Sequence, residues 1–317
     1  MKKTIVVTGV AGYIGGQVAL QLKDAGHTVI GIDRRPLQKH QKGPLDNFVL
    51  ADFDSDTAFK KLLNVRPDAI VHCAGSSLVG PSIKNPSDYY FNNVAKTLEL
   101  ITFITRAMPK TRIIFSSSAA TYGEPVMNPI CEVDPAEPVS PYGQSKLMID
   151  MMLESYHRAY GLDYVSFRYF NACGADSKVR HGQEPGATHI IARVLESIRD
   201  NQEFTLYGDN YPTADGTCIR DYVHVDDIAR AHVLALDHAI ASGVYNLGSN
   251  TGTSNREIIA AAERITGKTL QVTIGEQRVG DPPVLTASAD KFNAVADTWQ
   301  SHGLDNMIQH AWTWYVR

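Results

Sequence analysis

Tyr142 and Lys146 are the residues of this sequence best suited to moving a proton. Side chains four apart on an α-helix share one face, so the Lys146 ammonium group would lie beside the Tyr142 phenol and lower its pKa. A tyrosine activated in this way is a usable general base near neutral pH. The hydroxyl of Ser118, in the run Ser116-Ser117-Ser118, could hydrogen-bond the same substrate oxygen. We therefore predict Tyr142, Lys146 and Ser118 as the catalytic residues.

A glycine-rich turn between Thr8 and Gly15 predicts a dinucleotide-binding site. It follows a short β-branched run and precedes a segment of helical periodicity. Gly9 permits the tight turn, Gly12 lets a pyrophosphate approach the backbone, and Gly15 allows close packing of helix against sheet. The start of the helix would add N–H donors and the positive end of its dipole.

Asp33 ends the second predicted strand, where an acid can bind an adenosine ribose and repel a 2′-phosphate. This favours NAD over NADP as the cofactor. Arg34 and Arg35 follow directly, either as surface cations or as charges that offset part of that repulsion. Asp52 and Phe53 come after the third predicted strand, where they could frame an adenine ring.

The elements that would position these residues alternate short apolar runs with longer helical segments, a pattern typical of βαβ units. Long helices are predicted at Tyr13–Ala25, Tyr89–Arg106 and Tyr142–Tyr160, and six strands near Thr4–Thr8, Thr28–Asp33, Phe48–Ala51, Ala69–Cys73, Arg112–Ser116 and Tyr164–Arg168. They indicate an α/β fold, a Rossmann-like doubly wound parallel sheet with a smaller C-terminal substrate-binding α/β lobe. We predict an NAD-binding domain over residues 1–170 and the lobe over 171–317, with the segment around 217–250 packing back on the first domain.

Composition and charge favour small-molecule chemistry. The chain has 317 residues, of which 44% are hydrophobic and 20% charged, as in ordinary globular proteins. Its net charge of -4 provides no sequence-wide positive field for nucleic acid, and no apolar run reaches membrane-spanning length. Four widely spaced cysteines predict reduced thiols. We therefore expect a cytoplasmic protein with no nucleic-acid or membrane partner and no metal.

Longer motifs resemble the extended short-chain dehydrogenase/reductases, and within that family the UDP-glucose (UDP-galactose) 4-epimerases. The matching segments are Thr8–Gly15, His72–Gly75, Tyr89–Val94, Ser116–Gly123, Pro141–Lys146, Arg168–Asn171, Tyr211–His224 and Arg278–Asp281. The resemblance implies an NAD-dependent epimerase of nucleotide sugars, acting in galactose metabolism. Such an enzyme oxidises C4 of a UDP-sugar to a ketone, lets the sugar rotate and returns the hydride to its opposite face. It also implies a homodimer formed through the helices Tyr89–Arg106 and Tyr142–Tyr160.

The resemblance also assigns binding residues. Besides Tyr142 and Lys146, those expected to bind the cofactor are Gly9, Gly12, Tyr13, Ile14, Gly15, Asp33, Arg34, Asp52, Phe53, Cys73, Ala74, Gly75, Asn93, Ser116, Tyr169 and Phe170. Besides Ser118 and Tyr142, those expected to bind the UDP-sugar are Asn171, His189, Thr205, Leu206, Tyr207, Arg220, Arg278, Asp281 and Leu285.

Two positions depart from the family pattern and leave alternatives open. Ser77 stands where many of these epimerases carry a lysine near the nicotinamide ribose, and Leu285 stands where a subset carries a tyrosine. The substrate could therefore be another UDP-sugar, such as UDP-N-acetylglucosamine, UDP-xylose or UDP-glucuronate. A nucleotide-sugar dehydratase is disfavoured, because Ala119 and Ala120 follow Ser118 where dehydratases place a carboxylate. A catalytically silent NAD-binding module is the remaining alternative.

Overall fold

The computed structural model describes residues 1–125, 127–277 and 281–317. In chain order its strands and helices are β1 (Thr4–Thr8), α1 (Tyr13–Asp24), β2 (Thr28–Asp33), β3 (Asn47–Leu50), α2 (Asp56–Val65), β4 (Ala69–His72), α3 (Val79–Lys84), α4 (Pro86–Tyr89), α5 (Lys96–Ala107), β5 (Arg112–Ser118), α6 (Pro141–Tyr160), β6 (Tyr164–Tyr169), β7 (Asn171–Cys173), α7 (Ile190–Asp200), β8 (Phe204–Tyr207), β9 (Ile219–Arg220), β10 (Tyr222–His224), α8 (Val225–Leu234), β11 (Gly243–Leu247), β12 (Thr253–Ser254), α9 (Asn255–Thr266), β13 (Val272–Gly275), β14 (Val284–Leu285), α10 (Asp290–Asn293) and α11 (Leu304–Tyr315).

The described residues form two compact units, each of which is discontinuous in sequence. The first unit comprises Met1–Gly123, Pro135–Tyr169 and Ala229–Tyr245. The second unit comprises Glu124–Asp134, Phe170–Ile228 and Asn246–Arg317. The first unit therefore contains every strand of the predicted nucleotide-binding half, together with a segment that the chain contributes much later.

Within the described residues, one sheet has seven strands in the order β11-β6-β5-β4-β1-β2-β3, and the six strands β1 to β6 lie wholly in the first unit. The pairings from β6 across to β3 are parallel. The order reverses at β1, which has β4 on one side and β2 on the other. This topology confirms the predicted Rossmann-like fold class. In such sheets ligands bind at the carboxyl ends of the strands, where the order reverses.

Strand registers bring those carboxyl ends level with one another. Thr8, the last residue of β1, pairs with His72, the last residue of β4, and His72 pairs with Phe115 of β5. Ser118 at the end of β5 pairs with Tyr169 at the end of β6. The polar residues that end or follow these strands are thereby collected along one edge of the sheet.

The apolar cores hold the helices that matter for the site. In the first unit, Leu100 and Ile104 of α5 and Ile149 and Leu153 of α6 belong to one buried cluster with the strands. In the second unit, a separate cluster unites α7, α9 and α11 with β8. None of the helices in the described part of the chain combines the length and apolarity that a membrane crossing requires.

The helix predicted over Tyr89–Arg106 is interrupted. A π-helical turn at Tyr90–Ala95 separates α4 from α5. Turns of this kind insert an extra residue into a helix and occur often at functional sites. Here the turn contains Asn93, whose side chain is buried.

Candidate active site

The start of α6 is fixed by local sequence. Ser140 accepts a hydrogen bond from the Gly143 backbone N–H at its Oγ atom (3.2 Å), and Pro141 occupies the first helical turn. Both are common signals of a helix N-terminus. Tyr142 and Lys146 therefore lie on consecutive turns, with the Lys146 Nζ atom 6.0 Å from the centre of the Tyr142 ring.

Lys146 is anchored on the end of β5. Its Nζ atom donates a hydrogen bond to the Ser116 carbonyl oxygen (2.7 Å) and lies 4.6 Å from the centre of the Phe115 ring. Burial lowers the pKa of Lys146 to about 8, although the nearby Cys73 and Asp150 act in the opposite direction. The ammonium group is thus held in one place and can lose its proton within an accessible pH range.

Tyr142 and Ser118 are brought together by the same geometry. Their side chains are hydrogen-bonded, and the Ser118 Oγ atom also accepts the Ala120 backbone N–H (3.1 Å). In the protein alone, burial raises the pKa of Tyr142, and the Ser118 hydrogen bond only partly opposes this. The expected lowering of the pKa by Lys146 is therefore wrong for the protein alone, because desolvation of the phenolate dominates.

The glycine-rich turn has the shape that a pyrophosphate needs. Gly9 has a φ of 72°, and a Cβ atom there would lie 2.6 Å from the Ala74 backbone nitrogen. A Cβ atom on Gly15 would lie 2.3 Å from the Gly9 carbonyl oxygen. Among the described residues, no side chain caps the start of α1 at Gly12. A helix that begins at a glycine, directly after so tight a turn, fits a dinucleotide phosphate at its N-terminus.

Asp33 is held against this turn. Its carboxylate accepts hydrogen bonds from the backbone N–H groups of Ala11 (2.9 Å) and Arg35 (2.8 Å). Arg34 points to a different neighbour and donates to the Asn92 side chain (3.2 Å). The carboxylate therefore has a fixed position beside the loop, and the Arg35 Nε atom lies 3.5 Å from its Oδ1 atom.

Asp52 and Phe53 occupy different environments. Asp52 forms an ion pair with Lys96 of α5. Phe53 is buried and its ring packs edge-to-face against His72, with ring centres 4.8 Å apart. Their assignment to the adenine stays a prediction.

A chain of hydrogen bonds runs along the ends of β4, β5 and β6. The Ser116 hydroxyl donates to the Cys73 sulfur (3.0 Å), and the Tyr169 hydroxyl donates to the Ser116 Oγ atom (2.8 Å). The His232 Nε2 atom lies 2.6 Å from the Tyr169 oxygen. The Tyr169 hydroxyl is thus hydrogen-bonded to both Ser116 and His232. Sequence reasoning missed His232, which carries no motif and lies far away along the chain.

Asn93 is locked beside Gly75. Its amide group donates to the Ser76 carbonyl oxygen (3.0 Å) and to the Ser145 Oγ atom (2.9 Å). A Cβ atom on Gly75 would lie 3.1 Å from the Asn93 Oδ1 atom. The π-helical turn therefore places this amide at the same sheet edge as Cys73 and Ala74.

In the second unit, Arg220 and Asp281 form an ion pair. The Tyr211 hydroxyl donates to the other carboxylate oxygen of Asp281 (3.2 Å), a contact that sequence reasoning missed although Tyr211 lies in a matched segment. Leu285 of β14 pairs in register with Arg220 of β9. The structure thus gathers Arg220, Asp281 and Leu285, whereas Arg278 lies outside the described residues.

The other predicted substrate residues of this unit lie on separate elements. Asn171 donates its side-chain amide to the Asp221 carbonyl oxygen (2.7 Å), and Phe170 is buried just before it. His189 precedes α7 and accepts the Ala192 N–H at Nδ1 (3.5 Å). The remaining three predicted residues lie in succession on β8, which pairs with β13: Thr205, Leu206 and Tyr207.

A family model described as the NAD dependent epimerase/dehydratase family matches residues 5–248. The chain belongs to this family. It is 41% identical to a UDP-glucose 4-epimerase of Halalkalibacterium halodurans, over 98% of this chain and 95% of the relative. It also resembles the crystal structure of a Brucella ovis UDP-glucose 4-epimerase in complex with NAD, with a TM-score of 0.91, 38% identity and coverage of 98% and 97%. A Bifidobacterium longum UDP-glucose 4-epimerase in complex with NAD+ and UDP gives a TM-score of 0.90, 31% identity and coverage of 99% and 98%.

Membership of the epimerase/dehydratase family, together with the similarity to UDP-glucose 4-epimerases, confirms several expectations from the sequence. These are the resemblance to UDP-glucose 4-epimerases, the Rossmann-like fold, the epimerase activity and NAD as cofactor. The roles of the individual site residues stay predictions. The domain boundaries at residues 170 and 171 also stay a prediction.

One histidine cluster in the described residues has the spacing of metal ligands: His224, His302 and His310. The His224 Nδ1 atom accepts the Asp226 backbone N–H (2.9 Å), so a neutral ring carries its proton on Nε2. That Nε2 atom lies 2.9 Å from the His310 Nδ1 atom and donates to it. A metal ion needs a lone pair, which His224 then lacks, and we interpret the cluster as a hydrogen-bonded one.

Proposed function

We propose that this protein is an NAD-dependent UDP-glucose 4-epimerase that interconverts UDP-glucose and UDP-galactose. One observation carries the proposal: Ser118, Tyr142 and Lys146 meet at the carboxyl edge of a dinucleotide-binding sheet. The relative from Halalkalibacterium halodurans, a UDP-glucose 4-epimerase, supports the substrate. The Bifidobacterium longum epimerase, in complex with NAD+ and UDP, supports the two ligands.

The cofactor would be held by the glycine-rich turn and by the strand ends. The backbone at Gly12 and the start of α1 would bind the pyrophosphate, and the Asp33 carboxylate would bind the adenosine ribose. Ser116, Tyr169 and Asn93 would line the nicotinamide end. NAD bound there would supply a reversible hydride acceptor for C4 of the sugar.

In the first half-reaction, Tyr142 acts as the base. The Ser118 hydroxyl orients the sugar 4-hydroxyl, and the Tyr142 oxygen takes its proton while the C4 hydride leaves. The C4–O bond thereby becomes a carbonyl, and the product is a 4-keto sugar. The Lys146 ammonium group stabilises the phenolate through its charge, from the position fixed by the Ser116 carbonyl oxygen.

In the second half-reaction, the keto sugar presents its other face. Rotation about the phosphate link lets the hydride return to C4 from the opposite side, and Tyr142 returns its proton to the carbonyl oxygen. The sugar is neither oxidised nor reduced overall. The sugar must therefore be free to turn while the UDP moiety stays bound.

UDP binding would depend on Arg220 of the second unit. A guanidinium group can bind a diphosphate through two parallel hydrogen bonds. In the protein alone, the Arg220 guanidinium is paired with the Asp281 carboxylate. The diphosphate would bind the remaining N–H groups of Arg220 or replace Asp281 as its partner. Asp281 would then be available for the uridine ribose.

Two further expectations belong to this proposal. The helices α5 and α6 with the preceding π-helical turn expose Phe91, Leu98, Met148 and Met151, which supports a homodimer formed through this surface. All four cysteines in the described chain are free thiols, which supports a reducing, cytoplasmic location.

A dehydratase is the weaker alternative. After C4 oxidation it must eliminate water, which needs an acid/base pair next to the catalytic serine. Here Ser118 is followed by the 3₁₀ turn Ala119–Thr121, which contains no carboxylate.

The test is to incubate the purified protein with UDP-galactose, UDP-glucose and UDP-N-acetylglucosamine, without added cofactor, and to identify the sugars produced. We expect 4-epimers of the glucose pair, together with NAD released when the protein is denatured. A dehydrated keto sugar as the final product would favour the dehydratase. Bound NAD with no turnover of any UDP-sugar would favour the silent module.

A further inference from the structure

Asp150 is a buried carboxylate on α6, one helical turn beyond Lys146. Its side chain is only 3% exposed. A carboxylate so far from water is costly unless its oxygens are hydrogen-bonded and its charge is compensated. The sequence motifs gave no reason to single it out.

Both oxygens of Asp150 are bound by side chains from the sheet. The Oδ1 atom accepts a hydrogen bond from the Ser166 hydroxyl (2.6 Å). The Oδ2 atom accepts hydrogen bonds from the Ser117 hydroxyl (3.1 Å) and from the Arg168 Nε atom (3.0 Å). Because Ser117 lies on β5 and the other two on β6, this one carboxylate fastens α6 to two neighbouring strands.

These anchor points border the reacting groups. Ser117 stands between Ser116, whose carbonyl oxygen holds Lys146, and Ser118, which is hydrogen-bonded to Tyr142. The Arg168 guanidinium lies 4.7 Å above the centre of the Tyr122 ring. That tyrosine follows the 3₁₀ turn that begins after Ser118. The Asp150–Arg168 ion pair therefore contacts, through the Tyr122 ring, the end of the 3₁₀ turn that follows Ser118.

Asp150 is also the residue expected to place a negative charge beside Lys146. Of the other titratable groups that face this lysine, burial raises the pKa of Cys73 to about 11 and lowers the pKa of His72 to about 3. Both are therefore neutral near pH 7, so neither places a charge beside Lys146. Tyr142, whose pKa is raised in the protein alone, also faces this lysine. Asp150 faces Lys146, Arg168 and the neutral Tyr164. Burial raises its own pKa, but Arg168 and its hydrogen bonds favour the charged form.

We propose that Asp150 is a positioning residue for the Tyr142–Lys146 pair: it ties α6 to the strand end that carries Ser118, and its negative charge keeps the Lys146 amine protonated. This inference rests on the proposed function, because it assigns a role within the same site. The carboxylate is bound by Ser117, Ser166 and Arg168 and acts through Lys146 and Ser117.

The first test is Asp150→Asn, a replacement of nearly equal size that removes the charge. Lys146 and Arg168 would then be two buried cations without compensation, so Lys146 would give up its proton more readily. Activity that needs the ammonium form is lost as pH rises through the Lys146 pKa. We therefore expect the alkaline limb of the kcat–pH profile to move by roughly one pH unit or more to lower pH. A merely structural role would reduce kcat at every pH and leave the limb in place.

Two further variants distinguish the effect of the Asp150 charge from the effect of its packing. Asp150→Glu keeps the charge and should leave the limb in place, even if kcat falls. The double variant Asp150→Asn with Arg168→Gln removes one charge of each sign and should return the limb to its wild-type pH. If the single variant does not fold, Arg168→Gln decides instead, because it keeps the Asp150 charge, removes a competing cation and should move the limb to higher pH; an unmoved limb would contradict the proposal. A limb at wild-type pH in Asp150→Asn, or one displaced in the double variant, would overturn the proposal.

A direct titration of Lys146 tests the role of Asp150 without measuring turnover. The Cε chemical shift of Lys146 can be followed against pH in the NAD-loaded protein without substrate and assigned by its loss in Lys146→Met. We expect the Lys146 midpoint to fall in Asp150→Asn. An unchanged midpoint would refute the role of Asp150 even in an active epimerase. A lowered midpoint in a protein that turns over no UDP-sugar would instead refute the proposed function alone.

Discussion

The carbonyl oxygen of Ser116 accepts a hydrogen bond from the Lys146 Nζ atom at 2.7 Å, two residues before Ser118 on the same strand. One strand end therefore orients both the ammonium group and the serine hydroxyl that flank Tyr142. A shift of this strand relative to α6 would disturb both contacts at once. We therefore expect residues that join α6 to β5 to affect catalysis.

Replacing Tyr142 with phenylalanine should remove the base and leave the fold intact. We expect turnover to fall by roughly 10²–10⁴-fold, the usual contribution of a positioned general base. Bound NAD, measured after denaturation, should stay at the wild-type level. Tyr156→Phe is the matched control, because it removes a hydroxyl on the same helix, one that contacts Thr102 (2.7 Å). Near wild-type turnover in Tyr142→Phe would refute the assignment.

Replacing Asp33 should weaken the preference for NAD over NADP. Asp33→Ala removes a ribose acceptor and a charge that repels a 2′-phosphate. It also removes the contacts to Ala11 and Arg35, so Asp33→Asn is the more selective variant: it removes the charge but keeps one oxygen that can accept one of these two N–H groups. Binding titrations with both cofactors should show tighter NADP binding in the asparagine variant. An unchanged ratio of the two dissociation constants would mean that Asp33 is not at the ribose.

Leu285→Tyr should narrow the range of sugars. We expect wild-type protein to turn over the glucose and galactose forms well and UDP-N-acetylglucosamine slowly, since steric discrimination in an apolar pocket is limited to about 1–3 kcal/mol. The bulkier tyrosine should abolish turnover of UDP-N-acetylglucosamine and leave the interconversion of UDP-glucose and UDP-galactose unchanged. Val284→Tyr is the control, because adjacent strand residues point to opposite faces. The two sugar pairs differ at C2, where an N-acetyl group replaces a hydroxyl, so equal losses of kcat/KM for both pairs would mean that Leu285 does not lie beside this C2 substituent.

Met151→Glu should dissociate the proposed homodimer. Met151 is 62% exposed on α6, and Met148 lies one turn before it on the same helix. A charge there would have to be buried in an apolar interface, which is costly. Light scattering at micromolar concentration should give a dimer for wild type and a monomer for this variant. Leu63→Glu, at an exposed leucine of α2 outside this surface, should stay dimeric. A monomeric wild type would reject the dimer itself.

The sequence alone was enough for features that depend on near neighbours. The glycine-rich turn, the cap at Ser140 and the spacing of Tyr142 and Lys146 are local, because turn and helix geometry is set by residues a few positions apart. Several of the six predicted strands follow from apolar runs of the kind that a parallel sheet covered on both faces requires, whereas β3, at the sheet edge, is only partly buried. These local signals were sufficient to predict the fold class and the candidate catalytic residues.

Only the tertiary structure decided what depends on burial and on pairing across long stretches of chain. The raised pKa of Tyr142 results from desolvation, which no spacing along the sequence reports. The contacts of Asp150 with Ser117 and Arg168, and of His232 with Tyr169, join separate elements only after the sheet has formed. Hydrogen-bond partners and local dielectric are properties of the packed chain, whereas residue type and spacing are properties of the sequence.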